Sequence, residues 1–233
     1  SPDIDPPVIA AVQANLLDLA QHHHALAQKG SAADRDVAIR WYRDYLDGFN
    51  ASPQAPATRL LLADLLFDGT RYQEAAVEYE LAAYSYGSNP EAARAGYAAL
   101  VAYDRAAAQV IGPEQETLRL RSVDSGLRFA DTFPEHVETP AVLTRATRVL
   151  FDSGDRARAE SVAQRVLALG SRADSAQQLV AWTVLAHTYF DEGRYADAER
   201  AYTELSARLP AGDPQRAVAL LRAGKHVLTE KPM

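Results

Sequence analysis

Apolar positions recur along this chain at spacings of three and four residues, in paired segments separated by short polar breaks. The clearest pair begins at Trp182, followed by Leu185, Ala186 and Tyr189, which puts one apolar stripe on a helix. Gly193 interrupts that helix, Ala198 and Tyr202 give the inner stripe of a second, and Pro210 closes the pair. A second copy carries Leu62, Ala63, Leu66 and Phe67 on its first helix, a turn at Gly69 and Thr70, and Ala75, Tyr79 and Ala82 beyond it. Arg59 stands where the other copy has Trp182. A weaker copy has Gly154 in its turn, with Ala159 and Ala163 on its second helix. Near the N-terminus, residues 8–28 predict a first helix, Gly30 and Ser31 a turn, and Ala38, Ile39, Trp41, Tyr42 and Tyr45 a second helix. An irregular pair, broken at Gly112 and Pro113, fills the interval between Glu91 and Phe133.

The pattern therefore predicts helical hairpins at about 8–52, 56–89, 91–134, 140–171 and 176–210, with a last helix over 213–229. Asp213 as cap and Pro214 in the first helical place give that last helix a strong start. Its Leu220, Leu221, Val227 and Leu228 are expected to be buried.

The bulky residue, Leu-Ala, Tyr, Gly, Ala, Tyr, Pro order of 182–210 resembles the tetratricopeptide repeat, a helix–turn–helix unit of about 34 residues. That resemblance implies an all-α fold: a right-handed α-solenoid of about five such hairpins, closed by a C-terminal capping helix. It also implies a single repeat domain over residues 1–233. Ser1-Pro2-Asp3-Ile4 is an unusual natural start, so the domain is expected to be a fragment of a longer protein. The function implied is a non-catalytic scaffold or adaptor that holds a protein or peptide partner in a concave groove. The alternative is a self-assembly or spacer module with no groove ligand.

Composition sharpens this picture. The net charge of −7 and pI near 5.4 argue against a nucleic-acid partner. No apolar run approaches the roughly 18–20 residues of a membrane span. Cysteine is absent, which removes disulfides, thiolate metal sites and thiol nucleophiles. Abundant alanine favours helices packed at close range, and with arginine it points to a bacterial source. Tyr79-Glu80-Leu81-Ala82-Ala83-Tyr84 is similar to segments of envelope-associated bacterial repeat proteins, which implies a periplasmic or envelope location.

Three triplets precede the turns: Leu66-Phe67-Asp68, Leu150-Phe151-Asp152 and Tyr189-Phe190-Asp191. The first member of each lies on the packing stripe, and the Phe about 100° further round. Two readings stand for Phe67, Phe151 and Phe190: packing against the adjacent hairpin, or an aromatic ladder in the groove. The aspartates sit at helix C-termini, where negative charge is disfavoured by roughly 0.3–1 kcal/mol. They are read either as hydrogen-bonding the turn N–H groups or as selecting basic partner segments. Asp64, Arg148 and His187 lie one turn earlier on the same face, with Tyr97 and Thr183 added as candidate contacts. One related subclass grips a C-terminal carboxylate with Lys, Asn and Arg; here Leu60 and Asp64 occupy the corresponding places.

Enzyme chemistry finds no foothold. His22-His23-His24 point about 100° apart on a helix and do not converge on one ion. No metalloprotease, phosphate-loop, dinucleotide or nucleophile-elbow motif occurs. No catalytic residue, metal or cofactor is therefore expected.

Overall fold

The computed structural model describes residues 5–87, 89–210 and 212–229, and those residues are all-α. The helices are α1 (Pro6–Gln28), α2 (Ala32–Phe49), α3 (Ala55–Asp68), α4 (Tyr72–Tyr84), α5 (Ala92–Ala107), α6 (Pro113–Thr132), α7 (Thr139–Asp152), α8 (Arg156–Ala168), α9 (Ser175–Asp191), α10 (Tyr195–Arg208) and α11 (Pro214–Thr229). They gather into two compact units, Ser1–Ser125 and Gly126–Met233.

In the first unit, consecutive helices from α1 to α5 pack one on the next. Its core combines large side chains such as Tyr42, Tyr45, Leu62 and Leu66 with many alanines. In the second unit, α7 to α11 pack in the same sequential way, and α7 also meets α9. Ala38, Ala75, Ala159 and Ala198, the places that align between hairpins, are all fully buried. A methyl group there lets the two helices of a hairpin approach closely, which is why alanine recurs.

Four hairpins close by one device. In the second, the Arg71 N–H donates to Leu66 O and the Thr70 N–H to Phe67 O, each at 2.9 Å. The same two bonds recur from Ser31 and Gly30, from Asp155 and Gly154, and from Arg194 and Gly193. This is the Schellman closure, which needs a left-handed residue just after the helix. Gly30, Gly154 and Gly193 supply it with positive φ, and so, unusually, does Thr70 at φ 60°. Gly69, the more obvious turn residue, has φ −80°. A Cβ at Gly69 would stand 3.0 Å from Arg35 Cδ, so close approach is what favours glycine there.

Helix starts follow their capping residues. Ser31, Asp155 and Asp174 each accept a main-chain N–H three residues on, and Asp174 with Gln177 completes a capping box. Asp213 Oδ1 accepts from the Gln215 N–H at 2.8 Å, as expected for the start of α11. The expectation of buried leucines on α11 is not met. Among the described side chains of α11, Ala219 is buried, whereas Leu220 and Leu221 are exposed. The reason is rotational: α11 sets Ala219 against the second unit, and the two leucines follow it about 100° and 200° round. The side chains of Val227 and Leu228 lie outside the described residues.

Candidate partner-binding surfaces

The turn geometry fixes the triplets first. Leu66, Leu150 and Tyr189 are buried, their carbonyls taking one closing bond, while the following Phe carbonyl takes the other. The closing N–H groups are thus satisfied by main-chain carbonyls. The aspartates do not hold the turns, and that reading is corrected.

In the first unit, Asp64, Phe67 and Asp68 line one cavity of 390 Å³, together with His24, Gln28, Leu61, Tyr79 and Arg94. Phe67 is half-buried, its ring 4.9 Å from Tyr72 and 6.5 Å from Tyr79, both of its own hairpin. The Tyr79 hydroxyl donates to Asp64 Oδ1 at 2.6 Å, and Arg94 Nη2 lies 3.6 Å from Asp64 Oδ2. Burial and then the Asp64 carboxylate push the Tyr79 phenol well above its ordinary range, so it stays a donor. Asp68 is exposed at the rim. Buried His24 shares its Nδ1 with the Tyr42 hydroxyl at 2.9 Å. Burial lowers its pKa, against the opposing pull of Asp64 and Asp68. Tyr97 is half-buried on α5 and does not line this cavity.

In the second unit, Thr183 and His187 line a cavity of 230 Å³ with Tyr202, Leu205, Gln215, Val218, Ala219 and Arg222. The Arg222 Nη1 donates to the Tyr202 hydroxyl at 2.8 Å and lies 3.1 Å from His187 Nδ1. Its guanidinium carbon stands 5.5 Å from the Phe190 ring centre and 5.7 Å from that of Tyr202. The inner face of the last hairpin therefore already holds a cation supplied by α11. Phe190 also meets Tyr195 and Tyr202, at 6.0 and 6.4 Å. Phe151 lies 3.9 Å beneath the Arg156 guanidinium and 6.2 Å from the His187 ring. Arg148 and Asp152 are exposed, and Asp191 pairs with Arg156 at 3.9 Å.

One arrangement underlies both cavities and was only half legible in the sequence. His24, Asp64 and His187 each stand four residues before the end of a first helix, and each meets a tyrosine of the second: Tyr42, Tyr79 and Tyr202. In the hairpin of α7 and α8, where Ala163 replaces the tyrosine, Arg148 occupies the same place and is exposed. Sequence spacing finds Asp64, Arg148 and His187 as a face but leaves His24 in the histidine run. It misses that tyrosine hydroxyls hold three of them, and that Arg94 and Arg222 come from the next helix.

The histidine run behaves as separate side chains. His23 Nδ1 is 2.6 Å from Asp34 Oδ1, His24 turns to Tyr42, and His22 is exposed. Among the described residues, no group of three or more potential ligands is placed to hold a metal ion. No described helix is long and apolar enough to cross a membrane.

No family model and no curated protein matches the chain. Solved structures do align with it, among them two repeat proteins. A thermophilic TPR protein of Thermus thermophilus is 18% identical, covering 93% of this chain and 99% of that one at a TM-score of 0.38. A tetratricopeptide repeat protein from Parabacteroides merdae is 17% identical, covering 94% and 80% at a TM-score of 0.42.

Proposed function

We propose that this chain is a non-catalytic protein-interaction scaffold built of tetratricopeptide-like hairpins, and that its second hairpin receives a partner segment bearing basic side chains. The observation that carries this reading is the 390 Å³ cavity at which Asp64, Phe67 and Asp68 converge beside Tyr79. In it, the Phe67 ring offers apolar contact, and Asp68 at the rim accepts a cationic partner group. Asp64, oriented by Tyr79 and partly balanced by Arg94, sets the depth to which that group enters. Arg222 on Tyr202, His187 and Phe190 supports the reading, because it is a guanidinium held on the comparable face of another hairpin.

In the second unit, Phe151 and Asp152 are the further candidate contacts, whereas Thr183, His187 and Phe190 face the place that α11 fills. A partner segment that must be ordered on binding gives affinities on the order of micromolar unless the contact is extended.

The test is capture from the host with a tagged chain, comparing wild type with Asp68→Lys. Asp68 is exposed, so the charge reversal should leave the helical circular dichroism and melting intact. Partner recovery is expected to fall at least tenfold. Undiminished recovery by a folded Asp68→Lys chain would overturn the assignment of this cavity.

A further inference from the structure

The second and last hairpins align without a gap from Asp64 to Tyr79 and from His187 to Tyr202. Phe67 then falls on Phe190, Asp68 on Asp191, Tyr72 on Tyr195 and Tyr79 on Tyr202. The rings keep one relation in both: Phe67 meets Tyr79 edge to face at 6.5 Å, and Phe190 meets Tyr202 at 6.4 Å. In the last hairpin this pair of rings holds the Arg222 guanidinium, whose Nη1 donates to the Tyr202 hydroxyl at 2.8 Å. In the second hairpin the neighbouring cation, Arg94, is spent on carboxylates instead. Its Nε donates to Glu91 at 2.9 Å and its Nη2 lies 3.6 Å from Asp64. Among the described residues, no cation stands over the Phe67 or Tyr79 ring.

The wall around those rings is rich in acceptors. Asp64 stands where the last hairpin has His187. Tyr79 gives its proton to Asp64 at 2.6 Å and so keeps oxygen lone pairs for another donor. Asp68 makes no ion pair among the described residues, and its charge is felt at both His24 and Tyr79. A ring face bordered by three acceptors suits a flat, weakly hydrated cation with five N–H donors in one plane. A guanidinium can lie on the ring and reach the oxygens at its edge. An ammonium is compact and strongly hydrated, so it answers the carboxylates but gains less from the ring.

We propose that the basic side chain received by the second hairpin is an arginine, with its guanidinium laid on the Phe67 ring and its N–H groups directed to Asp68 and the Tyr79 oxygen. It would take the place that Arg222 takes in the last hairpin. This rests on the partner-binding reading above and narrows it: Asp64 and Asp68 select a cation, and Phe67 selects arginine over lysine.

The probes are two end-blocked, alanine-rich peptides that differ in one central side chain, arginine in one and lysine in the other. Each is titrated into the full chain and followed by NMR. The arginine peptide is expected to shift the Phe67 and Tyr79 ring resonances and the Asp68 amide. It is expected to bind about tenfold more tightly than the lysine peptide. Phe67→Leu, with its folding checked by circular dichroism, is expected to bring the two affinities together by weakening the arginine peptide. Equal affinities in wild type would overturn the choice of arginine while leaving a cation site standing, and this comparison needs no variant to fold. A preference for arginine that survives in folded Phe67→Leu would overturn the stacking on that ring. If neither peptide moves these resonances, the reading of the cavity as a partner site falls as well.

Discussion

Arg59 Nη1 lies 2.5 Å from Glu78 Oε2, with 12% and 17% of the two side chains exposed. Arg59 also donates to the Tyr86 hydroxyl and to Asn50 Oδ1, each at 2.9 Å. In the last hairpin the aligned places hold Trp182, Ala201 and Leu209. One hairpin thus fills this position with a hydrogen-bonded ion pair, the other with a large apolar ring. The ring keeps a basic neighbour even so, with the Arg208 guanidinium 5.4 Å from the Trp182 ring centre.

Two stability consequences follow from that substitution of chemistry. Glu78→Ala strands a largely buried guanidinium; full burial costs about 3–5 kcal/mol, and the residual exposure here reduces that to about 2–3 kcal/mol. The triple change Arg59→Trp, Glu78→Ala and Tyr86→Leu installs the packing of the last hairpin and is expected to restore most of the loss. Urea unfolding measures both. A triple variant as unstable as the summed single changes would show that the two hairpins are not interchangeable here.

How much of this could be read from the residues depends on the range of the interaction. The alanine places and the Leu/Tyr-Phe-Asp triplets follow from helical periodicity, which is local, and both appear where the spacing puts them. Gly30, Gly154 and Gly193 announce their turns because a positive φ leaves little other choice. The bond from Tyr79 to Asp64 is invisible to spacing, since it depends on how two helices are rotated against each other. Arg222 is hidden for the same reason: its role appears only once α11 is seated on α10. The leucines of α11 misled because apolar character alone does not say which face is covered.

His187 links that docking to a measurable titration. Burial lowers its pKa first, and the adjacent Arg222 cation lowers it further. Arg222→Gln removes the second cause and leaves the first partly in place. The His187 pKa followed by NMR is therefore expected to rise toward its ordinary value, and hydrogen exchange in α11 to accelerate. An unchanged His187 titration would mean that Arg222 does not rest there in solution.

The depressed histidines also set how stability depends on pH. His24 and His187 both have folded pKa values below the unfolded value of about 6.5. As pH falls through that value, the unfolded chain takes up protons that the folded chain refuses, so stability drops. The contribution is complete above about pH 6.5. It declines toward the folded pKa values. Asp34 and Glu74, lowered mainly by Ser31 and Arg71, add a separate loss only as pH falls through about 4. Melting temperature is thus expected to begin falling between pH about 6.5 and 5, and His24→Gln with His187→Gln should flatten that step. A wild-type profile level down to the carboxylate range would remove the buried histidines from the account.

Thr70 offers the sharpest test of the turn geometry. It holds φ 60° where Gly30, Gly154 and Gly193 occupy the same place in other hairpins. A β-branched residue in the left-handed region is strained by about 1–3 kcal/mol. Replacing it with glycine relieves that strain but adds back about 0.5–1 kcal/mol of unfolded-chain entropy. Thr70→Gly is therefore expected to stabilise the protein by about 0.5–1 kcal/mol. Thr70→Asn should give part of that, because asparagine tolerates this conformation. Gly69→Ala, one residue earlier, should instead destabilise, since its new methyl group meets the Arg35 side chain at 3.0 Å. Denaturant midpoints of the three variants decide the matter: a destabilising Thr70→Gly would mean that Thr70 is not the left-handed residue of this turn, and a neutral Gly69→Ala that the Arg35 side chain does not press on Gly69.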